Sequence, residues 1–268
     1  MQEKTLKDWE QFEKISLEMI RTARKRRERG GGCCMDYPLF RGVRDSTRPL
    51  ESSLDSLGKA GSLSQYWQTI KIVRKEVETV TGKKWSLDPN MPPEVPPTGE
   101  CDVQAYEFMA YLRQNGFPSP LLDWTKSPYI AAFFAFRDIY CSPADKKHVS
   151  IFAYREYCDG GDSPAPQEPR ICRIGPTIAT FPTHYLQQSE YSICVREKDG
   201  KMYFANYEDV RNDGEDEQDV LVKYSIPMSE RNKVLRELDS MNITAYSLFD
   251  SEPSLMDTLA VRELVIGT

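Results

Sequence analysis

The chain has 268 residues, 40% hydrophobic and 11% aromatic, with a formal net charge of −6. That supports a real core in one large domain or two small ones, and the acidic balance argues against an extended nucleic-acid footprint, which needs a basic face. No apolar run approaches the ~20 residues of a membrane span, and the charged first 14 residues lack the apolar stretch of a secretory signal.

Residues 5–28 read as an amphipathic helix, because Leu6, Trp9, Phe12, Ile15, Met19 and Ile20 recur at helical spacing. Its basic end, from Arg24 to Arg29, suits a negative helix C-terminus, with a phosphate-binding role as the alternative. Gly30-Gly31-Gly32 stops it and sets residues 1–32 apart from a domain at 33–268. Residues 37–44 look like a strand carrying Phe40-Arg41-Gly42, and residues 62–81 like a helix. The stretch 87–99, with Pro89, Pro92, Pro93, Pro96 and Pro97, is a loop. Residues 101–114 form a further helix, ended by Gly116-Phe117-Pro118.

Residues 120–136 are the most informative. The polar cluster Asp123-Trp124-Thr125-Lys126-Ser127 sits between a short apolar run and a strongly apolar segment. Pro128 suits the first position of a helix over 128–140, where its missing N–H costs nothing, and Ser127 suits the N-cap. Asp123, Thr125 and Ser127 are then aimed at the N-terminal pole of a buried helix, as capping groups or as the wall of an anion site. Strands follow near 149–155, 191–196, 202–206 and 219–226, with Gly200 as a turn and an acidic loop at 213–219. A helix spans 229–241 with Ser229 as cap, a short strand 243–248, and a final helix 253–264. The fold class is α+β in a single domain, helices mainly in the first half and a mainly antiparallel sheet in the second.

The cysteines (33, 34, 101, 141, 158, 172 and 194) include no Cys-x-x-Cys pair, and the only histidines are His148 and His184. This spacing offers no zinc motif, so no metal is expected. The chain reads as cytoplasmic, with its cysteines as thiols.

Phe40-Arg41-Gly42, then Leu121-Leu122-Asp123-Trp124-Thr125 and a helix rich in Ala and Phe, resemble the FRG domain family. A later helix, an Ile-Thr element and Ser247-Leu248-Phe249 extend the resemblance over residues 37–258. Two elements depart from it. A histidine of the family's His-Tyr-Gly-like element is replaced in Gln114-Asn115-Gly116, and a glycine is lost in Gln187-Gln188-Ser189.

The order of elements is also similar to ADP-ribosyltransferases of the Arg-Ser-Glu type: Phe40-Arg41-Gly42, then Thr125-Lys126-Ser127, then Gln188-Ser189-Glu190 running into a strand. That resemblance implies an ADP-ribosyltransferase-like core and NAD as co-substrate. Arg41 would bind the pyrophosphate bidentately, and Gly42 would let the backbone approach the ligand. Glu190 would stabilise the oxocarbenium-like state as the nicotinamide bond breaks. Gln188 would orient the acceptor, and Thr125 or Ser127 would hold the glutamate or the ribose, beside Asp123. The expected function is NAD-dependent ADP-ribosyl transfer or NAD hydrolysis on a macromolecular target. The family's habits place it in a bacterial or phage conflict system, as a toxin or in phage defence.

Each residue also has a plainer role. Arg41 can simply pair with Asp123, Asp123 can fix a turn, Trp124 can be core, and Glu190 can sit on the surface at a strand start. Two other function classes stay open. One is a non-catalytic module that binds a nucleotide or a protein in the Arg41/Asp123 cleft. The other, a metal-dependent hydrolase or nuclease, is weakened by the scarcity of histidines and of clustered Asp/Glu.

Overall fold

A computed structural model describes residues 1–28, 37–59, 61–88, 93, 95, 103–138, 147–156, 165–174, 178, 181–210 and 220–267. The glycine stop at 30–32, most of the loop 87–99, the acidic loop 213–219 and Cys33, Cys34, Cys101, Cys141 and Cys158 lie outside these residues.

The elements run β1 (Gln2–Thr5), α1 (Trp9–Glu28), β2 (Leu39–Val43), α2 (Leu63–Thr81), α3 (Val103–Gln114), β3 (Leu122–Thr125) and α4 (Pro128–Phe136). Then come β4 (His148–Arg155), β5 (Arg170–Ile174), α5 (Pro182–Leu186), β6 (Ser189–Lys198), β7 (Lys201–Phe204) and β8 (Val220–Pro227). The chain ends in α6 (Arg231–Ser240), α7 (Ala245–Phe249), α8 (Glu252–Ala260) and a π-helical segment over Val261–Ile266.

The strands form one eight-stranded sheet in the order β1-β8-β4-β2-β3-β6-β5, with β7 also on β6. All pairings are antiparallel except β1 with β8. The chain is thus α+β, as expected. The longest helices, α1, α2 and α3, lie in the first half and β4 to β8 in the second, but the sheet is not confined there: β2 and β3 pair at its centre, and α5 to α8 follow residue 181.

Side-chain alternation assigns the two faces. One face carries Phe40, Ile151, Ala153 and Tyr224 under α1, α4 and α6 on one half. Its other half carries Tyr191, Ile193 and Ile174 under α2 and α3. The opposite face carries Leu39, Trp124, Phe152, Tyr154 and Cys194, closed by Leu50, Tyr207 and Val210.

Four local expectations need correction. The first helix starts at Trp9, where the Asp8 carboxylate accepts the Gln11 N–H at 3.0 Å. Residues 2–5 instead extend along β8 as an edge strand. Residues 243–248 are not a strand. Thr244 and Ser247 form a reciprocal capping box, which starts α7. Ser229 caps nothing: it sits in a 3-10 turn, and α6 starts without a side-chain cap. The strand β5 was not anticipated, since its arginines interrupt the apolar pattern.

The entry to α4 is as expected. Pro128 is in the first turn, and the Ser127 hydroxyl accepts the Ile130 N–H at 3.3 Å. Its other end is closed by Arg231, which donates to the carbonyls of Phe136 at 3.1 Å and Asp138 at 2.7 Å.

α4 lies directly on β2 at Gly42. A Cβ there would stand 1.8 Å from the Ala131 carbonyl oxygen and 2.7 Å from the Ala135 nitrogen, both backbone atoms. Gly42 therefore admits a helix to the strand. Gly42→Ala is expected to destabilise the fold by about 3 kcal/mol or more. Thermal unfolding checks this, and an unchanged melting temperature would refute the close approach.

Candidate functional site

β2 and β3 share a single register pair, Phe40 with Thr125. Beyond it the ladder ends, and the backbone groups on either side need other partners. Arg41 spans the gap. Its Nη1 donates to the Asp123 carbonyl at 2.8 Å and to Asp123 Oδ2 at 3.1 Å. Arg113, from α3, grips the same carboxylate: its Nε bonds Oδ1, and its Nη2 reaches Oδ2 at 3.1 Å. The remaining Nη1 of Arg113 donates to Ser53 Oγ at 2.7 Å. Burial acts to raise the Asp123 carboxyl. The guanidinium groups of Arg113 and Arg41 outweigh it and hold the group well below the usual carboxylate range. Arg113 was not anticipated. It lies in the last turn of α3, and no sequence motif marks it.

The gap opens into a cleft of about 680 Å³. Arg41, Arg44, Arg48 and Arg137 line it, against Asp45, Asp123 and Asp138. Arg44 is paired with Asp138 at 3.2 Å. Phe134 and Phe249 form an aromatic wall, and Thr125, Gln187 and Ser189 form the opposite side. The α4 residues on the cleft are Phe134 and, just past the helix, Arg137 and Asp138. The cleft thus lies at the C-terminal end of α4, where the sequence pointed to the N-terminal pole. The Ser127 hydroxyl is used in the cap and does not border the cleft. Thr125 does border it, with its hydroxyl donating to the Gln187 carbonyl at 2.8 Å.

Glu190 belongs to a second ionic cluster. By register it shares a face with Arg41, but Trp124 stands between them. Trp124 is 2% exposed, and its indole N–H donates to Ser192 Oγ at 2.7 Å, so it is core. Glu190 is 1% exposed, not a surface residue. It accepts from Tyr37 Oη and from Arg173 Nη2 at 2.8 Å, with Lys126 Nζ 3.1 Å away. Burial pushes its carboxyl up, to about 8, while the two cations pull the other way. Arg173 is committed to this cluster, donating to the Tyr37 carbonyl at 3.1 Å with Glu156 Oε2 at 3.9 Å.

The structure therefore brings Arg41, Gly42, Asp123 and Thr125 together at the cleft, with Gly42 also beneath α4. Glu190 is set apart behind Tyr37 and Lys126. Gln188 is exposed at a positive φ of 48° and its carbonyl accepts the Lys126 N–H, so it does not face the cleft. Gln187 does, with its amide donating to the Leu248 carbonyl at 3.0 Å. His184 packs on the Tyr191 ring, centroids 5.4 Å apart, and burial lowers its pKa. Among the described residues no three of His, Cys, Asp and Glu gather as a metal site. No described helix is long and apolar enough to cross a membrane.

The model of the FRG domain matches residues 37–142. Over that segment the chain is similar to the FRG domain. The match spans β2, α3, β3 and α4, and so contains all three members of the Arg41–Asp123–Arg113 network. Glu190, Gln188 and Phe249 lie beyond the segment matched to the FRG domain. No curated protein and no solved structure matches the chain.

Asp123→Asn leaves two guanidinium groups facing one neutral amide. A loss of about 2–3 kcal/mol is expected, at the lower end of the cost of breaking a buried pair because Asp123 is a third exposed. A depressed carboxyl stabilises the fold above its unfolded-state pKa of 3.8, and that stability is lost as pH falls below it. Urea melts from pH 6 to pH 2 should show this acid limb in the native chain and lose its Asp123 share in Asp123→Asn. An identical limb in both would refute the network.

Proposed function

We propose that the chain binds a nucleotide through its phosphates in the Arg41 cleft, with NAD as the candidate ligand. The observation that carries this reading is the wall of the cleft: four arginines against three aspartates, beside two aromatic rings. Guanidinium groups match phosphate oxygens in a planar, bidentate way. The volume lies within the range of small-molecule sites. Arg41 is fixed by Asp123 and offers its remaining N–H groups, while Arg48 is exposed at the rim. The nucleotide phosphates therefore belong among Arg41, Arg44 and Arg48.

Calorimetric titration with NAD and with ADP tests this. Saturable binding is expected, weakened by about 10- to 100-fold in Arg48→Ala, as for the loss of one charge-assisted bond. No heat from either ligand, with no rise in melting temperature, would overturn the reading.

ADP-ribosyl transfer or NAD hydrolysis is the second reading, and Glu190 is the observation that favours it. It is a buried carboxyl one residue from Ser189 on the cleft wall. In that chemistry the bond from ribose C1′ to nicotinamide breaks, and nicotinamide leaves with the bonding pair. The acceptor, a macromolecule or water, bonds to C1′ and releases its proton to solvent. The ionised carboxylate stabilises the charge that develops on the ribose. Tyr37 and Lys126 must then move aside. With a carboxyl pushed up to about 8, nicotinamide release is expected to rise as pH increases through that value and to vanish in Glu190→Gln. Release unchanged in Glu190→Gln would remove the catalytic role and leave the binding site standing.

A further inference from the structure

Phosphate binding accounts for the arginines of the cleft and leaves its aromatic wall without a role. Phe134 and Phe249 come from α4 and α7, far apart in sequence, and meet edge to face with centroids 5.9 Å apart at 87°. The Arg137 guanidinium lies over both rings, 5.8 Å from the Phe134 centroid and 4.8 Å from that of Phe249. All three are partly exposed and border the cleft, whereas Phe133 and Phe136 on the same helix are buried.

The placement of Phe249 is built. The Thr244–Ser247 capping box starts α7, and the Gln187 side chain, itself on the cleft wall, holds the Leu248 carbonyl at 3.0 Å. Two partly exposed aromatic rings beside four arginines leave apolar surface in water, which is unfavourable, and a bare phosphate does not cover it. A flat heterocycle does. It stacks on a ring or on the guanidinium plane, and every nucleobase offers such a face. We propose that Phe134, Phe249 and Arg137 form a nucleobase-stacking subsite, so that the cleft selects nucleotides over simple phosphate and pyrophosphate anions. This inference rests on the phosphate-binding reading of the cleft and adds the group that gives it selectivity.

The test compares ADP, pyrophosphate and ribose 5-phosphate by calorimetry on the full chain, and follows the fluorescence of etheno-ADP, which stacking quenches. ADP is expected to bind more tightly than pyrophosphate by about 5- to 150-fold, the range for one stacked base. Phe249→Leu and Phe134→Leu keep apolar volume and should erase most of this difference between ADP and pyrophosphate. Where a leucine variant loses its native circular dichroism, Arg137→Lys serves instead, since lysine keeps the charge and lacks the plane. Equal affinity for ADP and pyrophosphate, or unquenched etheno-ADP, would overturn the stacking subsite while leaving the anion cleft intact. Absence of binding by all three ligands would overturn the cleft reading and this inference with it.

Discussion

One carboxylate held by two guanidinium groups organises the centre of this protein. Asp123 sits where the β2–β3 ladder stops after one pair. An open ladder inside a sheet exposes backbone donors and acceptors, which is costly when they are shielded from water. Arg41 answers that need by donating to the Asp123 carbonyl as well as to its side chain. Arg113 then supplies the second positive charge that holds Asp123 ionised, and ties α3 and Ser53 to the same point. The sheet can therefore part without collapsing, and the parting is the cleft.

The position of α4 follows from a second constraint. Gly42 has no side chain, so the helix backbone rests on the strand itself. That depth carries Phe134 and Arg137 to the cleft, and Arg231 closes the last carbonyls of the helix. The FRG tripeptide thus works as a unit. Phe40 fills the core under α1 and α4, Arg41 bridges the gap, and Gly42 admits the helix.

Much of this was legible in the residues. The Pro128 and Ser127 entry to α4 and the β2 strand follow from short-range chemistry, and the Arg41–Asp123 pair was one of the roles the residues left open. Arg113 was not legible, because its role depends on how α3 packs against β2 and β3, and nothing local marks it. Residues 243–248 misled because Ile, Thr and Tyr favour strands, while the Thr244–Ser247 cap decided for helix. Gln187 and Gln188 could not be told apart in sequence; the positive φ at Gln188 turns one outward and leaves the other on the cleft.

The two ionic clusters differ in what they allow. Asp123 is a third exposed, and Arg41 borders the cleft with its Nη1 alone bonded to Asp123, so a ligand can join the network without breaking it. Glu190 is closed by Tyr37, Arg173 and Lys126, and Trp124 separates it from Arg41. A substrate reaching Glu190 must displace Lys126, the most exposed of its ion-pair partners at 38%. That displacement removes one of two cations from a carboxyl already raised by burial, and so favours its protonation further. A ligand that reaches it with a positive charge developing at its reacting carbon supplies the missing cation in the transition state, and only there. The proposed transfer reading thus requires Glu190 to give up a partner before it can act, while the proposed binding reading asks no such displacement of the arginine cleft.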